Sequence, residues 1–227
     1  MNCVSWNCRG LGKPRTVRVL CDLVKDRNPD ILFLSETISV SRKIEELRIK
    51  MGYDSCFSVD KVGRSGGLAV FWRNSARCNI TGYSRSHIDL VFLENNVEVW
   101  HLSCFYGFPD RARRKESWNL IRALSRLSPL PWCIIGDFND LLYNSDKQGV
   151  HPHPNALMEG FRKAVDDSEL CELDLLGGLF TWEKSRGKDD WVRERLDRAF
   201  ANMSWWARFP LCKLKVIVTP VSDHDPI

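Results

Sequence analysis

The chain has 227 residues, 44% of them apolar, with a formal net charge of +4 and nine cysteines. That much apolar surface closes a large core, and so small a charge excludes a general nucleic-acid coat. No run nears the ~18 apolar residues of a membrane span, no charged n-region precedes an apolar segment, and the scattered cysteines contain no C-x-x-C pair, so the expectation is a soluble, unsecreted, intracellular protein with reduced thiols.

Strands are expected at Cys3–Trp6, Ile31–Leu34, Leu68–Trp72, Leu90–Leu93, Val97–Phe105, Trp132–Ile135, Ala199–Asn202 and Lys213–Val218, where apolar runs are bounded by turn signals. A helix starts at Pro14, a residue suited to a first helical turn, carries Val17, Leu20, Cys21 and Val24 on one face, and stops at Asn28-Pro29. The Gly63-Arg64-Ser65-Gly66-Gly67 segment reads as a tight turn rather than a phosphate-binding loop. A second helix runs from Ser117 with Trp118, Ile121 and Leu124 as its stripe, and a third follows Asn155 with Leu157, Phe161, Ala164 and Val165. With no linker, repeat or low-complexity segment, residues 1–227 are expected to form one domain of two packed sheets with helices outside.

The residues able to do chemistry fall where these runs meet loops. Asn7 ends the first strand, with Cys8-Arg9-Gly10 behind it, and reads either as a turn former or as an amide at the strand's carboxyl end. Glu36 follows Ile31-Leu32-Phe33-Leu34; if buried, its carboxylate requires a cation, a basic group or several donors, and otherwise it is a solvent-facing strand end. In Gly136-Asp137-Phe138-Asn139 an extended backbone would turn Asp137 and Asn139 to one side, an oxygen pair suited to a hard cation or to a water held against a phosphate; the alternative is an Asx turn. Asp197, inside Arg195-Leu196-Asp197-Arg198, beside His224, inside Ser222-Asp223-His224, would fix the imidazole's tautomer and raise its pKa. Thr181-Trp182 pairs a hydroxyl with a large ring, for a phosphate or for the core, and Tyr106 could donate to a phosphate or cap the sheet. Basic residues gather at Arg111, Arg113, Arg114 and Lys115 and at Arg193, Arg195 and Arg198.

Taken in order, these motifs resemble the endonuclease/exonuclease/phosphatase superfamily of DNase I-like fold, and among its members the apurinic-endonuclease-like endonuclease domain of plant LINE-type non-LTR retrotransposons. The resemblance rests on Ser5-Trp6-Asn7-Cys8-Arg9-Gly10-Leu11-Gly12, Pro29 to Thr37, Gly66-Gly67-Leu68-Ala69-Val70, Gly136 to Asn139, Phe180-Thr181-Trp182, Arg195 to Arg198 and Ser222 to His224. It implies a four-layer α/β/β/α sandwich of two mixed sheets. It also implies Mg2+-dependent nicking of DNA, with Mn2+ as a substitute. Glu36 would be the principal metal ligand, with Asn7, Asp223 and Asp137 completing or adjoining the site. Asp137 and Asn139 would orient or deprotonate the attacking water, Tyr106 and Thr181 would contact phosphate, Trp182, Arg195 and Arg198 would meet DNA, and Asp197 would support His224. A DNA substrate in turn implies the nucleus.

Two departures from the family pattern carry expectations of their own. Ile38 stands where a lysine often follows Glu-Thr, so a charge beside Glu36 should be missing, and an end at Ile227 should cut short a final core strand, leave an edge unpaired and loosen His224. No reverse transcriptase occurs within these residues. Two other readings follow: a phosphoesterase of the same fold acting on another phosphodiester or phosphomonoester, against which Asn139-Asp140 argues for the phosphoinositide phosphatases, and a catalytically decayed DNA-binding remnant.

Overall fold

Apolar runs too long to alternate between core and water must be covered on both faces, and this requirement builds the molecule in layers. The computed structural model describes residues 1–63 and 65–227; Arg64, within the turn expected at 63–67, lies outside the described residues. Strand β1 (Cys3–Asn7) runs parallel to β2 (Ile31–Ser35), and the crossover between them is α1 (Pro14–Arg27). Helix α2 (Ser41–Met51), β3 (Ser55–Val59) and β4 (Leu68–Trp72) follow, and the first sheet has the order β1-β2-β4-β3. Next come β5 (Cys78–Tyr83), β6 (His87–Glu94), β7 (Val97–Tyr106), α3 (Arg114–Leu124), β8 (Trp132–Asp137), β9 (Lys147–Gln148), α4 (Asn155–Asp167), β10 (Cys171–Glu172), β11 (Leu175–Leu176), β12 (Trp182–Lys184), β13 (Val192–Glu194), β14 (Asp197–Ala201), α5 (Met203–Arg208) and β15 (Leu214–Lys215). The second sheet is β10-β14-β8-β7-β6-β5, antiparallel except for the β7–β8 pair.

In β2, Ile31 and Phe33 face the second sheet, where they pack with Leu90, Leu102, Cys133 and Ile135. Leu32 and Leu34 face outward onto Leu20 and Leu23 of α1 and Ile44 and Leu47 of α2. On the far side, Phe105, Ile134 and Phe200 of the second sheet carry Ile121 and Leu124 of α3 and Phe161 and Val165 of α4. The layers are therefore α/β/β/α.

Helix boundaries follow local chemistry. Pro14 occupies the first turn of α1, and Asn28, left-handed at φ 44°, ends it by donating its N–H to the Val24 carbonyl. Met158, not Leu157, is the buried residue of the first turn of α4. Helix α2 carries only Ile44, Leu47 and Met51 inward amid many charges, and the edge strands β3 and β5 are partly polar, so none gave a periodic signal. The strand expected at Lys213–Val218 shrinks to Leu214–Lys215, which pairs with β11, because the Ile217 N–H bonds the Pro226 carbonyl instead. All nine cysteines are free, four of them buried. Among the described residues no helix is long and apolar enough to cross a membrane.

The last residues do not hang free. Ile227 and Ser5 exchange two backbone hydrogen bonds of 2.9 Å, Asp225 N–H bonds the Thr181 carbonyl and Glu183 N–H bonds the Asp223 carbonyl. This segment is thus held between β1 and β12, and His224 is 2% exposed, contrary to the loosening anticipated from sequence.

Candidate active site

The carboxyl ends of β1, β2, β7 and β8 meet at one edge of the paired sheets, and Asn7, Glu36, Tyr106 and Asp137 stand at or just beyond them. Glu36 leaves β2 with φ 49°, a left-handed conformation that costs a non-glycine residue energy. The turn behind it is clamped: Thr37 and Ile38 N–H groups bond the carbonyls of Gly67 and Gly66. At Gly67, φ is +89° and a Cβ would lie 2.4 Å from Thr37 Oγ1, which explains the glycine there.

Glu36 is held by three donors. Tyr106 Oη and Asn7 Nδ2 donate to its Oε1 at 2.8 and 3.0 Å, and Arg9 Nη1 donates to its Oε2 at 3.3 Å. Burial, and then the Glu36 carboxylate, push the Tyr106 phenol far above its ordinary range, so it stays a donor. Arg9 also forks onto Asp223, with Nε on Oδ1 at 2.8 Å and Nη2 on Oδ2 at 2.7 Å. The charge that seemed missing at Ile38 is therefore supplied by Arg9, from another strand end.

Asp137 lies at the centre, 1% exposed. Its Oδ2 accepts from Asn7 Nδ2 at 2.9 Å and Asn139 Nδ2 at 3.0 Å, and its Oδ1 accepts from the Asn139 backbone N–H at 2.9 Å. His224 Nε2 stands 3.9 Å from Asp137 Oδ2, while its Nδ1 makes a 2.8 Å hydrogen bond with Asp197 Oδ2. Burial opposes the imidazolium, but the carboxylates of Asp197 and Asp137 overcome it and raise the His224 pKa to about 9. Burial raises Asp137 in turn, and the His224 charge works against that rise. Asp223 is pulled upward by burial but held below its ordinary value by Arg9.

Several expectations are corrected. Asp137 and Asn139 do not form an oxygen pair on one side of an extended strand: Asn139 is left-handed at φ 54° and forms the Asx-type turn, its amide serving the Asp137 carboxylate and the Gly107 carbonyl. Thr181 does not meet phosphate. It is 1% exposed, and its hydroxyl oxygen accepts from the N–H groups of Leu196 and Asp197, so it places Asp197 instead. Trp182 packs beside the His224 ring and donates its indole N–H to Asp223 Oδ2 at 2.9 Å. Arg198 is wholly buried between Glu172 and Asp146, and Arg195 is paired with Glu172 at 3.0 Å; an unpaired arginine at either depth would be costly, so both are structural cations. Arg114 is likewise buried on Asp140. Asn7, Arg9, Glu36, Tyr106, Asp137, Asn139, Asp197, Asp223 and His224 do come together. Sequence reasoning assigned no role to Arg9, whose available signal was its place in the Ser5 to Gly12 motif, two residues after Asn7.

A divalent ion has a suitable donor set here. Asp137, Asp197 and His224 offer ligand atoms within 4.8 Å of one another, but the imidazole Nδ1 is committed to Asp197. Glu36 and Asp223 offer hard oxygens already balanced by a cationic group, the Arg9 guanidinium, which stands in for an ion's charge.

The sequence signature of the Endonuclease/Exonuclease/phosphatase family matches residues 4–224. Solved structures of similar fold include the endonuclease domain of TRAS1, a telomere-specific non-LTR retrotransposon (16% identity over 99% of this chain and 95% of that one, TM-score 0.73). They also include the 3'-5' exonuclease NExo from Neisseria meningitidis (18%, 100% and 97%, TM-score 0.71) and an AP endonuclease from Archaeoglobus fulgidus (15%, 100% and 97%, TM-score 0.73). A search of curated proteins finds no match. The signature spans both sheets and every strand end that converges on Asp137, and the chain belongs to the Endonuclease/Exonuclease/phosphatase family, enzymes that hydrolyse phosphate esters.

Proposed function

We propose that this chain is a divalent-metal-dependent endonuclease that nicks DNA, as the target-site step of a LINE-type retrotransposon requires. The observation that carries the reading is the run Asn7–Asp137–His224–Asp197: a buried carboxylate, oriented by two amides, beside an imidazole charged by its own carboxylate partner. Two solved structures of this fold, a retrotransposon endonuclease domain and an AP endonuclease, favour DNA over a lipid substrate.

In this mechanism Asp137, held by Asn7 and Asn139, aligns a water in line with the scissile P–O bond and accepts its proton. His224, kept charged by Asp197, faces a non-bridging oxygen and stabilises the charge that grows in the transition state. Tyr106 keeps Glu36 oriented through its 2.8 Å hydrogen bond and would contact the same phosphate. Mg2+ or Mn2+, held by Glu36 and Asp223 with Asn7 alongside, would supply Lewis-acid stabilisation of the phosphate oxygens.

The test is relaxation of supercoiled plasmid with Mg2+, with chelator, and with Glu36→Gln. The expected outcome is nicking that needs the ion and falls at least a hundredfold in the variant while its circular dichroism is unchanged. Undiminished nicking in Glu36→Gln removes Glu36 from the site, and hydrolysis of a lipid or monoester in preference to DNA favours the alternative phosphoesterase.

A further inference from the structure

Among the described residues, Arg9 is the one cation that touches both Glu36 and Asp223. Its guanidinium takes both oxygens of Asp223 and Glu36 Oε2, leaving Glu36 Oε1 to Tyr106 and Asn7. Trp182 Nε1 adds a further donor to Asp223 Oδ2. Every oxygen of the two carboxylates therefore has a protein donor.

An ion seated on the same oxygens would stand against a fixed positive charge, and like charges at that separation repel strongly. The Arg9 backbone is not free to relieve this: its φ is 50°, and its N–H is tied to Asn7 Oδ1 at 3.2 Å. The side chain is another matter, since it is 45% exposed and a long arginine stem can carry its head group into water.

Building on the metal-dependent reading above, we propose that Arg9 is a tethered competitor of the divalent ion. Its guanidinium caps Glu36 and Asp223 while the ion is absent and turns out to solvent when the ion binds. The cap keeps two facing carboxylates from repelling each other, and the ion must displace it, which sets a threshold concentration for loading the site.

Direct binding tests this without reference to activity. Free Mn2+, read from its paramagnetic resonance signal, is titrated against the whole protein and against Arg9→Gln and Arg9→Lys, with Mg2+ calorimetry as a second measure. Arg9→Gln should bind about tenfold more tightly, which is about 1.4 kcal/mol, and Arg9→Lys, a point charge without the bidentate fork, should fall between. In the absence of ion Arg9→Gln should melt several degrees lower than the parent, and added ion should close that gap. Equal or weaker binding by a folded Arg9→Gln overturns the competitor while leaving the metal site standing. No saturable binding by any of the proteins overturns the metal-dependent reading and the proposal together. If Arg9→Gln fails to fold, Arg9→Lys binding no more tightly than the parent overturns it.

Discussion

Replacing Asp197 by asparagine keeps the shape of the partner while removing its charge, and so isolates what the carboxylate does for His224. The imidazole pKa stands at about 9 against an ordinary 6.5, although burial acts in the opposite direction, and Asp197 at 2.8 Å is the foremost of the groups that raise it. At about 1.4 kcal/mol per pKa unit, that rise is worth about 3 kcal/mol. Because the folded protein holds this proton more tightly than the unfolded chain, the contribution is whole below about pH 6.5 and is lost as pH rises through about 9. In Asp197→Asn the Asp137 carboxylate still faces Nε2 at 3.9 Å, so part of the rise survives. The alkaline limb of nicking and the imidazole resonances followed by NMR should move down together by about 1–2 pH units. Urea unfolding at the two ends of the window provides a second measure: the parent should lose about 3 kcal/mol between them and the variant about half of that. An alkaline limb and an NMR titration that both stay near pH 9 in the variant would refute the dyad and credit the imidazole's retained charge to the Asp137 carboxylate.

Asp137→Asn should lower the turnover number by about 10²–10⁴-fold while the dissociation constant for DNA changes only a few-fold, since a group acting on the attacking water contributes chiefly in the transition state; matched losses in both would make Asp137 a structural residue. Arg198→Met strands the buried Asp146 carboxylate, leaves Glu172 to Arg195 alone, and should destabilise the protein by about 3–5 kcal/mol in denaturant titration. Nicking per folded molecule should keep its salt dependence, and a stable variant with weakened DNA binding would return Arg198 to the interface. Gly136→Ala should not yield a native fold, because a Cβ there would lie 1.9 Å from the Phe105 carbonyl oxygen at the parallel β7–β8 pairing and φ is +151°; a native-like melting curve would show that this pairing can shift.

The sequence by itself determined the layers and the rim. Ile31-Leu32-Phe33-Leu34 and Trp132-Cys133-Ile134-Ile135 are apolar on both faces, so each had to be covered on both, and the polar residues that end them could only sit where strands emerge from the core. What the sequence could not decide was which groups face one another there. The Asp137–Phe138–Asn139 step reads from sequence as an extended oxygen pair with the Asx turn as its alternative, and the choice went to the turn, in which the Asn139 amide reaches across to the Gly107 carbonyl beyond β7. Thr181 and Arg198 looked like phosphate contacts because hydroxyl and guanidinium groups suit that task; burial beside Asp197 and between Glu172 and Asp146 assigns them to support. Arg9 lies 214 residues from Asp223 and 27 from Glu36. Local patterning has no reach over such separations, so that contact exists only once two sheets, closed by their own hydrophobic faces, bring the strand ends to a common edge.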